Sequence, residues 1–274
     1  VCYKSMRNSF IIFFLSFCLN TYSLAENIFI EAKNISLDKN KETTIFEKDV
    51  IVKTETGDVI KSEFAEYNRS SGLIKLRKKI IAIDDQSNQI EADYAEYNDK
   101  TKIFKTIGIT KIITSSKYIV NTEDLLINKS KKSISSKFST VITDTETNKI
   151  FLDNFEYQSD TNIFKSIGNI KVNDNLKNSY EFSQIYINEK NKEIIGSDAK
   201  LYLNQDDFKI SQDNKPRIFS NTISISENKS KFIKSAFTMC DYRDKDKCPP
   251  WELTASEMTH DKKSKTIYYD NAVI

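Results

Sequence analysis

The sequence predicts an all-β chain: an elongated antiparallel β-jellyroll built from about eight 30-residue repeats of two strands each. Three observations carry that expectation. A template of apolar, any, small, any, any, apolar, any, apolar, then a polar turn begins at Ile30, Ile60, Ile90, Val120, Ile150 and Tyr180, without drifting by one residue. A fixed period of this length marks a stacked or solenoidal architecture. The composition, with 13 Tyr and 17 Phe against 5 Gly and 3 Pro, is strand chemistry with few flexible loops. Finally, no sustained 3.6-residue stripe supports helices, and Thr, Ile, Val, Asn and Ser dominate.

The chain begins with Val1, and Met6 is the natural start of a leader. From there Arg7, an apolar run from Phe10 to Leu19, and Ser23-Leu24-Ala25 match a secretory signal cut after Ala25. The alternative is an uncleaved anchor, but an apolar run of about 10 residues is short of the roughly 20 that a spanning helix needs. Residues 1–25 are therefore assigned to a signal peptide with upstream residues, and 26–274 to one β domain outside the cytoplasm.

Within the domain each repeat reads as two strands joined by a tight turn. Turn chemistry is present at Asn68-Arg69-Ser70-Ser71-Gly72, Asn98-Asp99-Lys100, Ser159-Asp160-Thr161-Asn162 and Asn188-Glu189-Lys190. The template's third position reads Ala32, Ser62, Ala92, Thr122, Leu152 and Phe182, and its eighth reads Leu37, Tyr67, Tyr97, Ile127, Tyr157 and Ile187. Ile90 and Ala92 share one parity while Ala95 and Tyr97 share the other. A flat strand would send these pairs to opposite faces. A bulge or bend between them turns both inward. Each half-repeat then crosses one sheet, bends and continues across a facing sheet. About sixteen such strands form a V-shaped column on the order of 75 Å long. Two looser copies follow, near Ile218 to Ile225 and Leu253 to His260. The inward Ile, Phe and Tyr ladder reads either as a filled core or as an apolar groove for acyl chains, and periodicity does not separate the two. Glu66, Glu96 and Glu156 read as a solvent-facing row.

Charge excludes one class of partner. The net charge is +2, with 29% charged residues of both signs interspersed. Such a surface offers no single-sign field for nucleic acid. One histidine leaves little for imidazole chemistry, and no cofactor is expected. Asp84-Asp85 and Glu47 with Asp49 are candidate acid–base pairs for a β-helix polysaccharide enzyme. They also suit turns and solvent faces, and the scarcity of glycine argues against a parallel β-helix.

After Lys231 the rhythm changes. Phe237-Thr238-Met239-Cys240-Asp241, a charged spacer, and Cys248-Pro249-Pro250-Trp251 gather two cysteines, two of the three prolines and the only tryptophan. In a secreted chain Cys240 and Cys248 are disulfide candidates, with each other or with cysteines elsewhere. A metal site with His260 lacks a fourth ligand and a tight spacing, so no metal is expected. His260 falls on the template's eighth position and reads as structural.

These runs carry a resemblance. The 30-residue repeats resemble the OstA-like domain of lipopolysaccharide transport proteins. The runs FTMCD, CPPWELTASEMTHD and IYYDNA are similar to the end of the periplasmic domain of the LptD family of lipopolysaccharide-assembly proteins. The resemblance spans essentially the whole chain, loosely in the repeats and more tightly from Phe237 onward. It implies transport rather than catalysis: a periplasmic domain, associated with the outer membrane, that accepts lipopolysaccharide from a periplasmic bridge protein through an edge strand. It implies that the acyl chains pass along Ile60, Ile74, Ile90, Phe104, Val120, Ile150 and Phe164 toward an outer-membrane barrel with its lipoprotein plug. It also implies that Cys240 and Cys248 link to barrel cysteines. The chain ends at Ile274 without a barrel and reads as a fragment of a longer frame. A repeat scaffold or adhesin without lipid is the competing expectation.

Overall fold

The computed structural model describes residues 28–38, 40, 42–204, 216–240, 251–261, 263–264 and 266–274. The expected signal peptide and Cys248 lie outside these residues. Twenty-one strands are present among the described residues, all in one antiparallel sheet. They make sixteen passes, because five passes are broken in two. The first is β1 (Ile28–Glu31) with β2 (Asn34–Asp38). Unbroken passes follow as β3 (Thr43–Thr54), β4 (Val59–Asn68), β5 (Leu73–Ile83) and β6 (Gln89–Asn98). The next two are β7 (Ile103–Thr106) with β8 (Ile109–Ile113), and β9 (Ile119–Glu123) with β10 (Leu126–Asn128). Two more broken passes are β11 (Ser133–Ser136) with β12 (Thr140–Thr143), and β13 (Lys149–Leu152) with β14 (Phe155–Gln158). Then come β15 (Ile163–Asn173), β16 (Ser179–Asn188), β17 (Glu193–Tyr202) and β18 (Arg217–Ile225). The stack closes with β19 (Lys229–Thr238), β20 (Leu253–Asp261) and β21 (Thr266–Asp270).

Each pass bends at its middle, so the sheet folds lengthwise into two limbs. The register shows the bend directly: it shifts between Glu47 and Val50, Lys61 and Phe64, Arg77 and Ile80, and Ile167 and Ile170. Left-handed backbone supplies the corner at Lys48 and Asp49, Lys78 and Lys79, Asp124, Asp198 and Lys234, and at Gly108 and Gly168. Small or hydroxylated residues at the corner satisfy its carbonyl groups, which would otherwise be lost to the ladder. Ser62 Oγ donates to the Phe64 carbonyl at 3.0 Å, Ser220 Oγ to that of Thr222 at 2.8 Å, and Thr140 Oγ1 to that of Phe138 at 2.9 Å. Ser62 and Ser220 occupy the template's third position. The bend expected from parity is therefore present, and pass 1 and passes 6 to 9 are those where it breaks the strand outright.

Two cross-strand rows line the inside. In the first limb, Val52, Ile60, Ala82, Ile90, Ile112, Val120, Ile142, Ile150, Val172, Tyr180 and Leu201 stand opposite one another in succession. In the second limb the row runs Ile74, Tyr97, Phe104, Ile127, Ile134, Tyr157, Phe164, Ile187 and Ile194. All but Tyr157 belong to or pack against the buried core. Outside, Glu66, Lys75, Glu96 and Lys105 face one another in turn, so the glutamate row is a charge-alternating outer face.

The turns obey the same period. In the first limb, Asp84, Asp144 and Asp174 each accept backbone N–H groups two and four residues on, through Oδ1. The fifth residue of each turn, Asn88, Asn148 or Asn178, accepts a backbone N–H of the next first-limb turn along the stack, at Ser115, Asn175 or Asn204. In the second limb, Asn68, Asn98, Asn128 and Asn188 cap their own turns through the N–H three residues on. Neighbouring turns there are joined by backbone bonds such as Asp99 N–H to the Gly72 carbonyl, 2.9 Å. Asp84 is thus a turn acceptor. Asp49 sits in the bend, paired with Lys33, while Glu47 is exposed on β3, so neither carboxylate pair is enclosed in a cleft.

Candidate functional site: an apolar trough between two limbs

The two limbs form a trough. Its floor is the set of inward residues beside the bend, and these stay buried along the stack: Leu76, Ile80, Leu125, Leu152, Ile170, Ile185 and Ile223 among them. The two rows described above form its walls and open toward the mouth. Along the first-limb wall exposure rises steadily, from 0% at Val52 and 2% at Ile60 to 8% at Ile90 and 9% at Val120. Beyond that point Ile142, Ile150, Val172 and Tyr180 are half-buried. The second-limb wall behaves alike: Ile74, Tyr97, Phe104 and Ile127 are buried, whereas Ile134, Tyr157, Phe164, Ile187 and Ile194 are half-buried. The walls are closed from Val52 and Ile74 to Val120 and Ile127, half-open from Ile134 to Ile194, and buried again at Leu201.

All seven residues assigned to the groove from the sequence stand on these walls. Ile60, Ile90, Val120 and Ile150 lie on one, and Ile74, Phe104 and Phe164 on the other. Five of them occupy the closed stretch, and only Ile150 and Phe164 reach the open one. Phe164 stacks on Phe155 of the floor, with centroids 6.0 Å apart and planes 10° from parallel. The open stretch from Ile134 to Ile194 covers five passes, about 19 Å of wall at the usual strand spacing.

A tyrosine marks each lip of the open stretch. Tyr157 donates to Glu189 Oε2 at 2.9 Å, and Tyr180 donates to Asp174 Oδ2 at 2.9 Å. Their rings belong to the apolar walls while their hydroxyls reach the wet rim, as suits an amphipathic side chain. Burial, with Glu189 alongside, pushes the Tyr157 hydroxyl up to about 12. Burial also pushes the Asp174 carboxyl up, but hydrogen bonds from Asn178, Tyr180 and the Leu176 backbone outweigh it and hold the group below its ordinary value.

At the closed stretch the limbs touch. Lys102 Nζ, in a second-limb turn, lies 3.1 Å from Glu55 Oε2 in a first-limb turn and 2.8 Å from Asp99 of its own turn. Lys129 Nζ lies 2.8 Å from Asp58 Oδ1. Sequence reasoning missed these four residues, because their partners are 47 and 71 positions apart. One signal was available: the turn Thr54-Glu55-Thr56-Gly57-Asp58 ends in a carboxylate where Asn88, Asn148 and Asn178 stand in the sister turns.

A hollow of about 830 Å³ lies elsewhere, at the bend of passes 8 to 12. Its lining mixes Val141, Phe151, Lys171, Glu181 and Lys200, of the opposite strand parity from the wall residues, with Leu152 and Ile170 of the floor, so it reaches both sides of the bend. Cys240 follows β19, half-buried, with its sulfur 3.9 Å from the Trp251 carbonyl oxygen. Arg217 donates to the Cys240 carbonyl at 2.5 Å. His260 stands in the second-limb row between Ser230 and Ile267, on β20.

No protein-family model and no curated protein matches the chain. Among solved structures it is similar to the crystal structure of LptH, the LptA-homologous periplasmic component of the lipopolysaccharide transport device of Pseudomonas aeruginosa. The two are 10% identical over 62% of this chain and 81% of that one, with a TM-score of 0.18.

Proposed function

We propose that the chain is a periplasmic carrier segment for lipopolysaccharide, holding acyl chains in the open stretch of the trough and passing them along the stack. The observation that carries this reading is that the same two apolar walls are buried from Val52 and Ile74 to Val120 and Ile127 and half-open from Ile134 to Ile194, without a change of residue class. A scaffold that needed only a core would close its walls throughout, since exposed contiguous apolar surface is costly to keep without a ligand. The sequence resemblance of the Phe237–Ala272 region to the LptD family supports the same reading, and with it a secreted, periplasmic location.

The stack also leaves two ends for neighbours. Among the described residues β1 and β2 pair only with β3, and β21 only with β20. Both ends carry exposed apolar side chains, Phe29, Ile35 and Leu37 at one and Ile267, Tyr268 and Tyr269 at the other. Open edges of this kind favour strand addition. A bridge protein at one end and a membrane barrel with its lipoprotein plug at the other fit that arrangement, with Cys240 and Cys248 as thiols for a link to the barrel. The closed stretch favours a second reading, a scaffold whose filled interior takes no lipid.

Photo-crosslinking separates the two. A photoreactive side chain at Ile150 or Phe164 should label lipopolysaccharide, and one at the outward-facing Lys149 or Lys165 should not. Phe164→Asp should abolish labelling from Ile150 by placing a carboxylate in an apolar path. Equal silence at Ile150, Phe164 and Lys165 in the folded chain would leave the scaffold reading in place.

A further inference from the structure

The four charged residues that join the limbs do more than hold three turns together. Most links between turns connect immediate neighbours on the same limb, 26 to 28 residues apart. The pairs Glu55–Lys102 and Asp58–Lys129 instead cross the mouth. The Asp58–Lys129 pair is sheltered on both sides, with 10% and 26% of side-chain exposure kept, whereas in the other pair Lys102 keeps 20% and Glu55 keeps 54%. Ion pairs on an open surface contribute little, whereas a sheltered pair leaves an uncompensated charge when one partner is removed. Asp58 is set up for this position by its own turn, since Thr56 donates to its second oxygen at 2.7 Å and its backbone N–H bonds Thr54 Oγ1 at 3.1 Å.

Beneath the crossing the walls are at their tightest, and there the closed state carries a cost. The Tyr97 hydroxyl is buried without a hydrogen-bond partner. Opening the mouth would hydrate that hydroxyl, so an open arrangement satisfies a group that the closed one leaves unpaired. The same wall residues that fill the interior here stand half-open some passes further on. The crossing is one difference between the two stretches.

We propose that Glu55, Asp58, Lys102 and Lys129 form a clasp that shuts the trough over the first repeats and must release before a lipid chain can enter that stretch. This rests on the trough being a lipid path. The clasp divides the path into a standing site, from Ile134 to Ile194, and a conditional one beneath Tyr97 and Phe104.

The test compares lipopolysaccharide labelling from photoreactive side chains at Phe104, under the clasp, and Phe164, in the open stretch, using the full chain. In the otherwise unaltered chain Phe164 should label strongly and Phe104 weakly. Asp58→Asn should raise labelling from Phe104 several-fold and leave Phe164 unchanged. Exchanging the charges, Asp58→Lys with Lys129→Asp, should return Phe104 to its low level, which a merely loosened fold would not do. Labelling at Phe164 with no rise at Phe104 in Asp58→Asn overturns the clasp alone. A rise that the charge exchange does not reverse also overturns it. Silence at both positions in every variant overturns the lipid reading and the clasp with it.

Discussion

Tyr97 shows how one side chain can be placed correctly by pattern and still carry information that pattern lacks. Its position on the second-limb wall follows from the template's eighth place, beside Ile74 and Phe104. Its unpartnered hydroxyl does not, because that depends on which turns close above it. An unsatisfied buried hydroxyl costs more than a hydrogen bond returns, so Tyr97→Phe should stabilise the chain by about 1 kcal/mol in urea unfolding. A loss of stability would mean that the hydroxyl has a partner. The same burial pushes the Tyr97 hydroxyl from its ordinary 10.0 up to about 12. The folded chain then holds this proton more tightly than the unfolded chain does. The associated stability is fully present below pH 10 and is lost as pH rises toward 12. Melting temperature followed through that window should fall less steeply in Tyr97→Phe than in the unaltered chain.

At the scale of the strand, the bend is the decisive element. Its existence was legible in the parity change between Ala92 and Ala95, and the rows that result place Ile60, Ile90, Phe104 and Phe164 inside as that parity requires. What parity could not say is where the bend would break a pass in two. That is decided by side chains that replace ladder bonds: Asp124 Oδ1 takes the Gly108 N–H at 2.7 Å, and Asn154 Nδ2 donates to the Ile167 carbonyl at 2.5 Å. Gly168 shows how little room the corner leaves. Its φ is +125°, and a Cβ there would lie 2.8 Å from Asp153 Oδ2, which already accepts the Asn169 N–H. Gly168→Ala should therefore destabilise the chain by about 1–3 kcal/mol, read as a lower urea midpoint with an unchanged slope. An unaltered midpoint would mean that the corner yields without strain.

For the whole molecule, the number of passes and their antiparallel order were legible because the period is strict, and the sixteen passes follow from it. The clasp was not, because the limbs meet across an offset that periodicity does not encode: Asp58 follows the second pass and Lys129 the seventh. The strict register has a consequence for how such a chain can change. Removing residues 150–179 deletes two passes and sets Tyr180 opposite Ile142, in the place Ile150 now holds, and Ile187 opposite Ile134, in the place of Tyr157. Such a chain should fold with every remaining pair in step and be about 10 Å shorter by solution scattering. A collapsed or aggregated product would show that the copies are not interchangeable. Reach is then a countable property, altered in whole repeats by duplication or loss, while the copies that carry Glu55, Asp58, Lys102 and Lys129 are fixed in place by partners that a change of copy number would pull out of alignment.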